Sequence, residues 1–188
     1  MKAVLMAFDA IDCNLIFNGE KTIDARKVAP NLKPPYTVYM YMKAAKERFP
    51  LWEYITAYTN SKGEIVNGSQ KVVGEFVCDQ TRDYIPFGLR GYELPSEWYR
   101  DMRCSKEWLD QYGGLRTLRG LHIAAPKAYD TPKELSEFKK GCNDMYDPQF
   151  GSYCGYCPHP CFLTRPPQSW CYVEEVVECL KSPKTIKT

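Results

Sequence analysis

Apolar and polar positions along the chain follow a period of two more often than a helical period. Residues 2–8 (Lys-Ala-Val-Leu-Met-Ala-Phe) are almost wholly apolar and predict a buried first strand. Ile11, Leu15 and Ile16 then recur at helical spacing. They lie between Asp9, an N-cap residue with Asp12 as its capping-box partner, and the Asn18-Gly19 stop, so a short helix is expected over 10–18. Residues 22–26 alternate: Thr22, Asp24 and Arg26 share one face, Ile23 and Ala25 the other. Pro30, Pro34 and Pro35 break the pattern. Residues 36–42 predict an aromatic-rich strand, 43–58 a helix, and 60–70 a polar loop around Gly63 and Gly68.

Residues 71–79 give the clearest strand. Val72, Gly74 and Phe76 face one way, and Val73, Glu75 and Val77 the other. Glu75 thus lies between two valines, where a carboxylate needs a partner or a purpose. One or two helices are expected over 95–112, ended by Gly113-Gly114. A strand follows at 121–129, then a short helix at 132–138 with Thr131 as cap and Pro132 in first position. Residues 141–162 read as irregular, and 169–173 as a last strand. Strands joined by loops and small helices predict an α+β fold, an antiparallel sheet curled into a small, partly closed β-barrel.

The chain has 188 residues, 44% of them hydrophobic, which is enough for one domain over 1–188 with its own core. Its 25 basic and 23 acidic residues leave a net charge of +2. That is too little for a global field that attracts nucleic acid, so any such site is local. No apolar run approaches the roughly 20 residues of a membrane span. The apolar start is too short for a secretory leader, and a cytoplasmic protein without membrane contact is expected.

Gly19-Glu20-Lys21-Thr22 follows a helix instead of preceding one and lacks the longer glycine pattern of a phosphate-binding P-loop. Lys21, Thr22 and Arg26 at a strand entrance, with Asp24 on the same face, predict a corner for phosphate or another polar ligand. Residues 19–26 (Gly-Glu-Lys-Thr-Ile-Asp-Ala-Arg) resemble the signature of ASCH domains of the PUA-like superfamily. Residues 71–78 (Lys-Val-Val-Gly-Glu-Phe-Val-Cys), 132–138 (Pro-Lys-Glu-Leu-Ser-Glu-Phe) and 163–170 (Leu-Thr-Arg-Pro-Pro-Gln-Ser-Trp) resemble a bacterial and phage branch of that family. The resemblance covers 1–42, 71–85, 119–138 and 163–175. It leaves about 43–70, 86–118 and 140–162 as insertions.

The resemblance implies a small β-barrel with flanking short helices and a basic cleft beside the motif that holds RNA or a nucleotide. One branch hydrolyses an acylated cytidine with a Lys and a Thr of this motif and a separate Glu. Lys21 matches the Lys, Asp24 stands where the Thr would fall, and Glu75 is the equivalent offered for the Glu. Two functions are expected on this basis. A module binding RNA or a nucleotide-like ligand would use Lys21, Thr22, Asp24 and Arg26, with Tyr39, Tyr41 or Trp170 stacking a base. Such a stack is worth roughly 1–3 kcal/mol; the competing reading of these aromatics is core. A hydrolase of a modified nucleoside or of RNA would use Lys21 as nucleophile or base and Glu75 as proton shuttle. Its competing reading is a structural ion pair. A zinc-organised domain meeting a protein partner is a third reading. His122 and His159 form no catalytic pair by spacing, and Cys13, Cys78, Cys104, Cys171 and Cys179 have no companion pattern for thiol chemistry.

The other four of the nine cysteines, Cys142, Cys154, Cys157 and Cys161, fall within 20 residues, with His159 between the last two. Cys154-x2-Cys157 has the spacing of a metal knuckle, and a reducing compartment disfavours disulfides. Gly151, Gly155, Pro158 and Pro160 supply turns, and large aliphatics are few, so a metal would serve as the segment's core. A structural, tetrahedral zinc on the four cysteines is expected, with His159 as alternative ligand. Purified protein should carry about one zinc per chain by elemental analysis, and less than about a tenth of an equivalent would remove the site.

Overall fold

The computed structural model describes residues 2–44, 56–140 and 162–175. The first apolar run forms β1 (Lys2–Phe8), and its residues 3–8 are all buried because both faces of the sheet are covered there. α1 (Ala10–Phe17), β2 (Ile23–Arg26) and β3 (Tyr36–Met42) follow. β4 (Ala57–Thr59) and β5 (Ile65–Asn67) pair as a separate hairpin. Next come β6 (Val72–Tyr84), α2 (Ser96–Met102), α3 (Lys106–Gly113), β7 (Leu118–Lys133) and β8 (Trp170–Glu174). The main sheet has six strands in the order β2-β7-β6-β3-β1-β8. No helix among the described residues is long and apolar enough to cross a membrane.

The expected α+β class is observed, with two corrections. The sheet is mixed, since β1 and β3 run parallel with Val4 opposite Val38 and Phe8 opposite Met42. The intervening α1 and β2 return the chain to the starting end of β1, as a parallel pair requires. Among the described residues the sheet is also open, with β2 and β8 at its two ends, so the expected barrel does not close. The proline-broken stretch after β2 offers β8 no regular strand to pair with. Side chains bridge that gap instead. The Trp170 indole N–H donates to the Val28 carbonyl at 2.9 Å, and the Asn31 amide donates to the Tyr172 hydroxyl at 3.0 Å.

Among the described residues three apolar clusters hold the fold. Val4, Met6 and Phe8 of β1 pack with Val38, Met40, Met42, Phe76 and Leu121, under Ala10, Cys13 and Ile16 of α1. On the opposite sheet face Leu5 and Ala7 pack with Tyr39, Tyr41, Tyr129 and Phe138. Tyr84, Tyr92, Met102, Leu109 and Leu118 join α2 and α3 to the ends of β6 and β7. β6 carries register shifts, and the one between Val72 and Gly74 reverses the expected alternation: Val73 packs on the Phe76 face and Val72 on the other, both fully buried.

The helix expected at 43–58 falls mostly outside the described residues, and its end is β4. Tyr58 anchors that hairpin by donating from its buried hydroxyl to the Tyr129 carbonyl at 2.6 Å; burial, with the nearby Asp130 charge, pushes its pKa up to about 12. The helix expected at 132–138 is a single 3-10 turn, Leu135–Glu137, because β7 runs on to Lys133 and Glu134 takes the capping place. Cys142, Cys154, Cys157, Cys161 and His159 lie outside the described residues. Among the described residues no three metal-binding side chains gather.

Gly74 is where α1 closes on the sheet. A Cβ there would run into the Lys127 carbonyl oxygen and come 2.6 Å from the Phe17 ring. Backbone cannot step aside as a side chain can. Gly74→Ala should therefore cost about 1–3 kcal/mol and lower the urea midpoint. An unchanged midpoint would contradict this packing.

Candidate functional site

The end of α1 fixes the first functional residue. Gly19 takes φ +73°, a conformation open to glycine, and lets the amides of Glu20 and Lys21 both donate to the Leu15 carbonyl at 2.8 and 3.0 Å. The Thr22 amide then donates to the Asp101 carbonyl at 2.9 Å, and the Thr22 carbonyl accepts from Ile123 at 2.8 Å. Lys21 is thus tied to α1 while β2 starts between α2 and β7. Two residues apart on β2, Asp24 and Arg26 face the same way.

Asp24 is the centre of the site. Its Oδ2 accepts from Arg26 Nε at 2.5 Å, and its Oδ1 lies 3.9 Å from Lys21 Nζ. Lys21 Nζ donates to Asp12 Oδ1 at 3.0 Å. The side chains of Lys21, Arg26 and Asp24 are 12%, 13% and 7% exposed. Arg26 also reaches the Ala7 carbonyl at 3.3 Å and the Ser169 hydroxyl at 3.4 Å, with its guanidinium 4.8 Å from the centre of the Phe8 ring. Burial works against the Arg26 charge, but the Asp24 carboxylate more than offsets it, so its pKa rises above the usual arginine value. At the rim Lys43 pairs with Asp9 at 3.0 Å.

These groups line a pocket of about 160 Å³. It opens into a bay of about 470 Å³, and the two share Asp9, Asp12, Lys21, Met102, Cys104 and Trp108. Among the described residues three cations and three carboxylates line the inner pocket, and their formal charges cancel. Its far wall comes from residues 96–113. Ser105 caps α3 by accepting from the Trp108 amide at 3.2 Å, and Leu109 and Met102 are buried in the third core. Trp108 and Tyr112, one turn apart on α3, stack at 4.9 Å and 11°. Cys104 stands between α2 and α3; burial pushes its thiol pKa up, while the Lys21 charge pulls it down.

Of the residues expected at a site, Lys21, Asp24 and Arg26 come together, and Thr22 does not line the pocket. Glu75 lies opposite Tyr39 on the other sheet face, where its carboxylate accepts from the Tyr129 hydroxyl at 2.6 Å. Tyr39 and Tyr41 are buried in the second core. Trp170 is half-buried at the sheet's open side, held by Val28. The sequence reading missed Lys43, Met102, Cys104, Trp108 and Tyr112 as site residues. It read Asp9 and Asp12 as helix caps, yet the Asp9 side chain makes no capping hydrogen bond and both carboxylates pair with lysines of the site. Lysines to match them were the available signal, but these lie 9 and 34 residues away in sequence.

No family model matches the sequence, and no curated protein matches it significantly. Among solved structures, an ASCH protein from Zymomonas mobilis is similar over 92% of this chain and 88% of its own, at 13% identity and a TM-score of 0.53. A mutant form of the same protein matches over 93% of this chain and 92% of its own, at 14% identity and a TM-score of 0.47. The chain has an ASCH-like fold.

Asp24 holds a buried guanidinium, so Asp24→Asn should destabilise the protein by about 3–5 kcal/mol in urea unfolding. Asp9→Asn at the exposed rim pair should change stability by less than about 1 kcal/mol. Equal effects would show that Asp24 is not what holds the Arg26 charge in place.

Proposed function

We propose that the pocket of Lys21, Asp24 and Arg26 binds the nucleoside part of a nucleotide-like ligand. The observation that carries this reading is the alternation of donors and acceptors in one charge-neutral cavity: the Lys21 ammonium, the Asp12 and Asp24 carboxylates and the Arg26 guanidinium. A phosphate chain is drawn by net positive charge, which the described residues of this pocket do not supply. A base edge presents hydrogen-bond donors and acceptors side by side, which is what the pocket complements. Single-stranded RNA can supply such a ligand by splaying out a base. The ASCH-like signature at residues 19–26 supports the same reading.

Calorimetry with the four ribonucleoside monophosphates, their nucleosides and short single-stranded RNAs tests it. Binding should persist with the nucleosides, and Lys21→Ala should weaken it about tenfold or more, the scale for a lost hydrogen bond to a charged group. The salt dependence should be shallow, with a log–log slope no steeper than about −1, the value for roughly one neutralised phosphate. Absence of binding to every nucleoside, nucleotide and RNA at low salt would remove the proposal.

A second reading, hydrolysis of a modified nucleoside, draws on one observation. Lys21 Nζ donates to Asp12, whose part-exposed carboxylate stands between the pocket and solvent and can take a proton from an attacking water. Asp12 would then take the proton-transfer role, since Glu75 faces the other core. Release of free cytidine from an acylated cytidine, lost in Asp12→Asn, would support this reading, and no release above the protein-free rate would end it.

A further inference from the structure

The inner pocket alone, at about 160 Å³, is below the roughly 300 Å³ at which small-molecule sites begin, whereas the bay of about 470 Å³ lies within that range. A ligand whose polar edge reaches Lys21 and Asp12 therefore has its bulk in the bay. Two exposed apolar side chains form walls there, Ile11 on α1 and Trp108 on α3. Trp108 keeps 52% of its surface exposed even though Tyr112 stacks on it. Lys27 Nζ in turn rests 4.7 Å from the centre of the Tyr112 ring. One face of the indole thus rests on Tyr112, and the α3 backbone beneath it is set by the Ser105 cap and the buried Leu109. A large aromatic face held open beside a polar pocket is suited to a planar ring.

From this arrangement we infer that Trp108 is the stacking residue of the site, receiving a nucleobase on the indole face turned away from Tyr112. The inference rests on the nucleoside reading of the pocket and adds what that reading leaves open. The ring is held by α3, a segment outside the stretches that resemble the ASCH family, while the polar edge is held by the residue 19–26 motif. Ring stacking carries affinity with little dependence on base identity, so Trp108 contributes similarly to purine and pyrimidine nucleosides, and any choice between them lies with the polar edge.

Calorimetry and two-dimensional NMR on the full chain test this, with cytidine and adenosine as probes and ribose 5-phosphate as the control without a base. Trp108→Ala should weaken both nucleosides roughly 5- to 150-fold, the range for one lost base–aromatic stack. Trp108→Phe should restore most of that loss, and Trp108→Leu, which keeps apolar bulk without a π-face, should not. The Trp108 indole N–H resonance of the wild type should shift on adding either nucleoside and stay in place with ribose 5-phosphate. The Leu and Phe variants keep the wall packed, so the comparison holds even where the alanine variant fails to fold. Unchanged nucleoside affinity in Trp108→Leu, with loss in Lys21→Met, would overturn the stacking role and leave the pocket reading standing. Failure of the wild type to bind either nucleoside would overturn both.

Discussion

The site depends on one buried carboxylate. Asp24 lies among apolar strands with two cations within 4 Å, and it is the partner that makes a buried guanidinium tolerable. Taking such charges out of water is expensive, and the expense is met only when the remaining donors find acceptors as well. Arg26 finds them at the Ala7 carbonyl, the Ser169 hydroxyl and the face of Phe8. Those partners belong to the end of β1 and the approach to β8. The same ion pair that builds the pocket floor therefore spans the open side of the sheet, where no backbone ladder joins β2 to β8.

This double duty explains the electrostatic character of the pocket. A cation free to receive phosphate would stand without a carboxylate partner. Lys21, Arg26 and Lys43 each have one. The motif that looked basic in sequence is therefore neutral in place, because Asp9, Asp12 and Asp24 come to it from the residues around α1 and from β2 itself. Recognition by such a surface runs through direction and donor–acceptor order more than through net charge.

The parts of the fold legible in sequence were those that local pattern decides. The apolar runs at 2–8 and 36–42 became β1 and β3 at their expected bounds. The alternation at 22–26 placed Asp24 and Arg26 on one face, and Gly19 ended α1 as its spacing required. What pattern could not reach was pairing. Nothing in either strand says that β1 and β3 run parallel, or that β2 and β8 end the sheet without pairing with each other. Glu75 was rightly marked as a carboxylate needing a partner, but that partner, Tyr129, lies 54 residues on and on the face away from Lys21. The continuation of β7 through Pro132 was hidden by a helix-start signal that reads the same in either setting.

The wall of the pocket was illegible for a different reason. Residues 96–113 were seen as helices, but an amphipathic helix states only that it packs, not against what. Their docking is set by Tyr84 and Leu118, at the ends of the two longest strands, which receive Met102 and Leu109. Once docked, α3 has no choice about where Trp108 and Tyr112 stand: a turn of helix puts them together at the pocket, with Tyr112 also packed against the third core. Floor and wall thus have separate origins, the floor in strands whose charges must satisfy one another, the wall in a helix pair docked by apolar contact and by the hydrogen bond from the Thr22 amide to the Asp101 carbonyl. Changes to α3 can reshape what enters the site without disturbing the buried ion pair, whereas the ion pair cannot change without loosening the side of the sheet it bridges.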